Sequence, residues 1–164
     1  MLGLDEMEAR YATYPDILDV LRRDGADPAV SRRLFARIVF NVAIGNNDDH
    51  ARNHAAFWDG QRLELTPAYD LCPQIRSGET SAQAMALDRN GNRDSSFAAC
   101  LAAAPVYGLS PSQAREIIDH QVAVIEAEFD DAADQARLSR AQRALLRGRQ
   151  ILNPYARYGY STNP

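Results

Sequence analysis

A mostly helical domain with one or two small β-hairpins is the fold this sequence predicts. Apolar residues recur at three- and four-residue spacing over much of the chain, as at Val30, Leu34, Ile38 and Val42. Helix-start signals stand directly ahead of such runs: Pro15, Asp27-Pro28, and the capping boxes Ser110-Pro-Ser-Gln113 and Ser139-Arg-Ala-Gln142. Extended runs are short and flank Asp59-Gly60 and Asn90-Gly91, without the strand–helix alternation that builds a parallel sheet.

The first 14 residues read as irregular and polar. Pro15 opens a short helix carrying Ile17, Leu18, Val20 and Leu21, and Gly25 ends it. Asp27 and Pro28 read as cap and first residue of a second helix, which runs to about Ala43 with Phe35 and Val39 beside its main stripe. Gly45-Asn-Asn-Asp-Asp49 favours loop conformations. Residues 54–58 and 61–65 around Asp59-Gly60 form a β-hairpin, ended by Pro67, and at least one of Phe57 and Trp58 is expected in the core. Residues 72–82 read as a surface segment in which Arg76, Ser77 and Thr80 are candidates for touching a protein substrate. A weaker strand at Met85-Ala-Leu-Asp88 meets the second turn at Asn90-Gly91, and residues 95–104 form a short helix closed by Pro105. The helix behind Ser110 carries Ala114, Ile117, Ile118, Val122, Ile125 and Phe129, and the last helix stops before Asn153-Pro154.

Composition narrows the function. A chain of 164 residues with 46% apolar content can bury a real core and is read as one domain, 1–164. No run approaches a membrane span, the N-terminus lacks the apolar stretch of a signal peptide, and a cytoplasmic location is expected. The net charge of −4 argues against direct nucleic-acid binding. Cys72 and Cys100 are too few for a disulfide scaffold and read as small buried apolar residues. All 18 basic residues are arginine. A Schiff-base enzyme or a self-sufficient Walker-type nucleotide site is therefore excluded, because both need a lysine. Arg137, Arg140, Arg143 and Arg147 read as a solvated face balancing Asp130, Asp131 and Asp134, and His120 as an isolated helix residue.

The chemistry concentrates at Ile44-Gly-Asn-Asn-Asp-Asp-His-Ala-Arg-Asn53 and, beyond the hairpin, Thr66-Pro-Ala-Tyr-Asp70. A hairpin returns the chain to its starting end, so Asn53 and Asp70 are expected to lie close together, with Asp48 on the loop leading in. Two carboxylates and an amide oxygen suit Mg²⁺, a hard, oxygen-loving cation. Phosphoryl transfer uses such a set: one Asp accepts the hydroxyl proton, and an Asn and a second Asp hold the metal that neutralises the phosphates. Asp48 and Asn53 have the Asp-x-x-x-x-Asn spacing of protein-kinase catalytic loops. Asp49 stays outside this catalytic set, and Asn46 and Asn47 are expected to shape the loop. A zinc-type site from Asp49, His50, His54 and Asp70 is a weaker alternative, because residues 54–58 read as a strand.

These two runs, with Asn153-Pro-Tyr-Ala-Arg-Tyr-Gly159 at the C-terminal end, resemble the C-terminal lobe of the HipA-like Ser/Thr protein kinases, toxins of bacterial toxin–antitoxin pairs. The resemblance spans about residues 2–159. It implies a kinase-like large lobe with Asp48 as catalytic base and Asn53 and Asp70 as Mg²⁺ ligands. It further implies that His50, Arg52 and Tyr69 flank the nucleotide phosphates or brace the loop, Arg52 standing where the family often has lysine. The implied cofactors are ATP and Mg²⁺. The implied partners are a DNA-binding, HipB-like antitoxin and a protein substrate such as an aminoacyl-tRNA synthetase. A glycine-rich loop and a strand lysine are missing, so the N-terminal ATP-clamp lobe is expected to come from elsewhere, for instance a separate subunit. The chain alone is expected to be inactive. The alternative is a non-catalytic interaction module with the same fold.

Overall fold

A computed structural model of the chain describes residues 11–74 and 80–161. Five α-helices and one two-stranded antiparallel sheet occur among these residues: α1 Tyr14–Arg23, α2 Val30–Ile44, β1 Ala56–Trp58, β2 Leu63–Leu65, α3 Phe97–Ala103, α4 Pro111–Gln135 and α5 Arg140–Arg149. The expected helical domain with a hairpin is what forms. No described helix is long and apolar enough to cross a membrane.

Helix α1 begins one residue before Pro15. Thr13 and Asp16 close a capping box, the Thr13 side chain accepting from the Asp16 amide while the Asp16 carboxylate accepts from the Thr13 amide. Helix α2 starts two residues later than expected. Asp27 accepts from the Ala29 amide at 2.6 Å and its carbonyl from the Val30 amide at 2.8 Å, so it caps a lead-in turn. Val30, Leu34, Phe35, Ile38, Val39 and Val42 are all buried, and α2 packs against α1, α3 and α4 as the central helix. Gly45 ends it at φ +72°, with the Gln150 carbonyl only 2.7 Å from where a Cβ would stand. No other residue fits there without moving the chain behind it.

The hairpin pairs Ala56 with Leu65, Phe57 with Glu64 and Trp58 with Leu63. Leu65 enters the core, but Phe57 and Trp58 remain 63% and 59% exposed, contrary to the expected burial of at least one. The ribbon packs on the core through Ala56 and Leu65 at its open end and through Leu63 beside Trp58 at its turn end, and these three side chains hold its inward places while both aromatics face outward. The weaker strand at 85–88 does not form. Met85, Ala86 and Leu87 are consecutive buried residues, which a half-buried strand cannot supply, and their backbone groups bond elsewhere. The Ala86 carbonyl accepts from the Tyr14 amide and the Leu87 carbonyl from the Tyr107 hydroxyl. A single bridge, Ala82 with Asp94, closes this loop.

Helix α3 is capped by Ser96 and passes at Ala104 into a 3-10 turn containing Pro105. Both expected capping boxes form, at Ser110–Gln113 and Ser139–Gln142. His120 is exposed on α4. Helix α5 buries no residue and loses helical dihedrals at Arg147 and Gly148. Arg143 pairs with Asp134 and Arg147 with Asp130, as a charge-balanced face requires. The C-terminal segment then ties the helices together. The Leu152 amide donates to the Ala43 carbonyl, the Phe97 amide to the Ala156 carbonyl, and the Tyr160 hydroxyl to Asp119 on α4. Cys100 is buried, but Cys72 is exposed, lying outside the core on the segment that follows Asp70.

Candidate active site

The loop after α2 divides its side chains between the interior and the solvent. Asp48 is exposed, whereas Asp49 beside it is 2% exposed. One oxygen of Asp49, Oδ2, accepts from the Tyr14 hydroxyl at 2.6 Å and from the Asn41 amide at 2.6 Å, and lies 2.9 Å from His54 Nε2. Burial, and then the neighbouring Asp49 carboxylate, hold the Tyr14 hydroxyl protonated well above a tyrosine's ordinary range. Asn41 also accepts from the Asn46 amide at 3.1 Å, so both ends of its side chain are used. A 3-10 turn over Ala51–Asn53, closed by the Asn53 amide donating to the His50 carbonyl at 2.8 Å, leads into the hairpin.

The chain beyond the hairpin returns to this loop, as its topology requires. The Tyr69 hydroxyl donates to the Arg52 carbonyl at 2.7 Å, and the Asn46 amide donates to the Asp70 carbonyl at 3.2 Å. The Gln74 amide donates to the Gly45 carbonyl at 3.0 Å. Arg37 on α2 supports the same limb by donating to the Thr66 carbonyl at 2.5 Å. Its other terminal nitrogen is buried with no hydrogen-bond partner, and burial lowers its pKa while the charge of Asp49 works the other way. Asp70 sits at φ +56°, a left-handed conformation that costs a non-glycine residue about 1 kcal/mol or more. Backbone strain of this kind is held in place only where surrounding bonds over-determine it, as they do here.

The backbones bearing Asp48, Asn53 and Asp70 thus lie on two segments joined by direct hydrogen bonds. Asp48 and Asp70 are exposed, and Asn53 is buried. None of the three side chains hydrogen-bonds or ion-pairs with the described residues, unlike Asp49, Asn41, Asn46 and His54 around them. Uncommitted carboxylate and amide oxygens fit a hard divalent cation. His50 is half-buried with Nδ1 lacking a partner, Arg52 is exposed on the 3-10 turn, and Tyr69 braces the loop. Asn46 and Asn47 shape the loop, the Asn47 carbonyl accepting from the Ala84 amide at 2.9 Å. The zinc-type alternative is disfavoured, since His54 Nε2 is engaged by Asp49 and no cluster of three or more His, Cys, Asp or Glu suited to a metal occurs among the described residues. Arg76 and Ser77 lie outside the described residues, and Thr80 is exposed.

Sequence reasoning missed the Asp49 hub. Its one available signal was that Asp49 and His54 repeat the five-residue interval of Asp48 and Asn53.

Residues 1–129 match the family model of the HipA-like C-terminal domain. A Sinorhizobium fredii protein named "Putative kinase Y4mE" is 36% identical over 74 residues, which are 42% of this chain and 18% of that protein. The HipA toxin–antitoxin complex of Shewanella oneidensis, solved with HipB and operator DNA, superposes with a TM-score of 0.68 at 18% identity. That match covers 90% of this chain and 38% of the solved one, so the chain spans well under half the length of either relative. On the family match, and with the fold to agree, the chain belongs to the HipA-like C-terminal domain family.

Proposed function

We propose that this domain is the base- and metal-bearing lobe of a HipA-like Ser/Thr protein kinase, the toxin component of a toxin–antitoxin pair. Asp48 accepts the proton of a protein Ser or Thr hydroxyl as its oxygen bonds to the γ-phosphorus of ATP and the bond to the ADP oxygen breaks. Asn53 and Asp70 hold Mg²⁺, which when bound neutralises charge on the phosphates. His50, Arg52 and Tyr69 flank that ground, Arg52 as a cation near the phosphates and Tyr69 through its brace on the Arg52 carbonyl.

The observation that carries this reading is three uncommitted oxygen-bearing side chains, at the expected kinase spacing, on two segments that the Asn46 amide to Asp70 carbonyl and Tyr69 hydroxyl to Arg52 carbonyl bonds tie together across the hairpin. The lysine that protein kinases place against the phosphates must come from outside these 164 residues, since none is present. By likeness to the Shewanella complex, which holds HipB and operator DNA, the partner is a DNA-binding antitoxin. The substrate is a protein, with aminoacyl-tRNA synthetases the class that the family likeness suggests. The absence of lysine also favours a second reading, a non-catalytic module that keeps the fold for binding.

Transfer from γ-labelled ATP to protein, measured with this lobe joined to a lobe that supplies a glycine-rich loop and a strand lysine, separates the two. The kinase reading expects Mg²⁺-dependent transfer that Asp48→Asn abolishes without changing the circular dichroism. Transfer at the unaltered rate in Asp48→Asn removes Asp48 as the base. No transfer by the intact pair supports the binding module.

A further inference from the structure

Asp49 and His54 are each the residue immediately after a member of the proposed catalytic pair, Asp48 and Asn53. Their bond, 2.9 Å from His54 Nε2 to Asp49 Oδ2, therefore spans the same five-residue interval one position on. It closes the 3-10 turn of Ala51–Asn53 from beneath, with the two side chains 4% and 0% exposed. Tyr14 and Asn41 fix the same oxygen to α1 and α2. The other ring nitrogen of His54, Nδ1, is buried with no partner, so the ring is held by one hydrogen bond and its edge contact with Tyr14. The Asp48 and Asn53 side chains make no hydrogen bonds to the described residues, so what locates them is the loop beneath.

We propose that the Asp49–His54 hydrogen bond is a positioning device that sets the separation of Asp48 and Asn53, and thereby the domain's affinity for a divalent cation. The proposal rests on the functional reading above. Asp49 and His54 touch neither metal nor substrate; they act through the residues that do. Outer partners of this kind commonly change metal affinity about 10- to 100-fold when removed.

Two substitutions at one position provide the test. In His54→Gln the amide nitrogen lies as many bonds from Cβ as imidazole Nε2 does, and it can still donate to Asp49. In His54→Asn the amide nitrogen reaches only the place of Nδ1, and the bond is lost. Mn²⁺ binding by the chain, followed by electron paramagnetic resonance, and hydrogen exchange at the Asn53 and His54 amides are measured for both, with thermal midpoints alongside. The expected result is Mn²⁺ affinity about tenfold or more weaker and amide exchange about tenfold faster in His54→Asn, with His54→Gln close to the unaltered chain in both. Equal behaviour of the two variants in affinity and exchange overturns the proposal, even if both lower the melting point. If the unaltered chain binds no Mn²⁺, the metal reading itself fails, and the exchange comparison still decides whether this bond sets the loop. Should His54→Asn not fold, Asp49→Asn takes its place. It keeps the volume but loses the charge that lets one oxygen hold three donors, and unchanged affinity and exchange there overturn the proposal equally.

Discussion

Replacing Gly45 with alanine tests how the site loop is seated. Gly45 has φ +72°, and an added Cβ would stand 2.7 Å from the Gln150 carbonyl oxygen, 3.3 Å from its carbon and 3.6 Å from its Cα. The left-handed conformation alone costs an alanine about 1–2 kcal/mol relative to glycine. The contact is with backbone, so a rotamer change cannot relieve it. The segment around Gln150 must retreat, which loosens the 2.7 Å bond from the Leu152 amide to the Ala43 carbonyl, worth about 1 kcal/mol net. A total near 2–3 kcal/mol lowers the melting temperature of a chain this size by about 5–10 °C. Gly91→Ala is the control, since Gly91 has φ +83° but nothing within 4 Å of its Cβ position, so it bears only the conformational cost. Thermal melts of the two variants should place Gly45→Ala several degrees below Gly91→Ala. Coincident melts would show that the chain behind α2 does not press on the site loop, and the reasoning would be refuted.

Further outcomes follow from other parts of the molecule. Burial pushes the Cys100 thiol up to about 12, while Cys72 is exposed, so a thiol reagent at pH 8 should modify Cys72 quickly and Cys100 only on unfolding. The sign of the linkage is fixed by that upward shift. The stability that neutral Cys100 contributes is complete below the unfolded thiol value of about 8.5 and is lost as pH rises toward the folded value. Cys100→Ala should therefore flatten the alkaline limb of a urea-denaturation pH profile, and an unaltered limb would contradict the assignment. Tyr69→Phe removes the hydroxyl that bonds the Arg52 carbonyl and should cost about 1 kcal/mol in urea denaturation, with faster amide exchange confined to residues near 52 and 70. Ser110→Ala breaks the capping box that opens α4 and should cost about 0.5–2 kcal/mol, while Ser112→Ala next to it costs less, because Ser112 does not accept from the helix amides.

Much of this fold was legible because its signals are local. The boxes at Ser110 and Ser139 declare helix starts by themselves, and Asp59-Gly60 between apolar runs declares the hairpin. The Thr13–Asp16 box was equally present in the sequence but lay in a stretch read as irregular. Failures occurred where tertiary contacts decide. Met85–Leu87 is apolar enough for a strand, but its carbonyls are claimed by Tyr14 and Tyr107 from distant helices. Phe57 and Trp58 have core chemistry, but the ribbon's inward places are held by Ala56, Leu63 and Leu65. At the site, the spacing of Asp48, Asn53 and Asp70 could be read from the chain, whereas the role of Asp49 could not. Adjacent aspartates look alike in sequence, and only packing against Tyr14, Asn41 and His54 turns one inward and leaves the other in solvent.

Paramagnetic broadening of the unaltered chain's nuclear magnetic resonance spectrum by substoichiometric Mn²⁺ tests the central claim most directly. If the Asp48, Asn53 and Asp70 oxygens meet around one cation, the resonances lost first are the backbone amides at 48, 53 and 70 and the Asn53 side-chain amide, and Asp70→Asn restores them. Broadening centred on the acidic stretch of Asp130, Asp131 and Asp134, with the Asn53 amide untouched, would place the cation elsewhere and contradict the account.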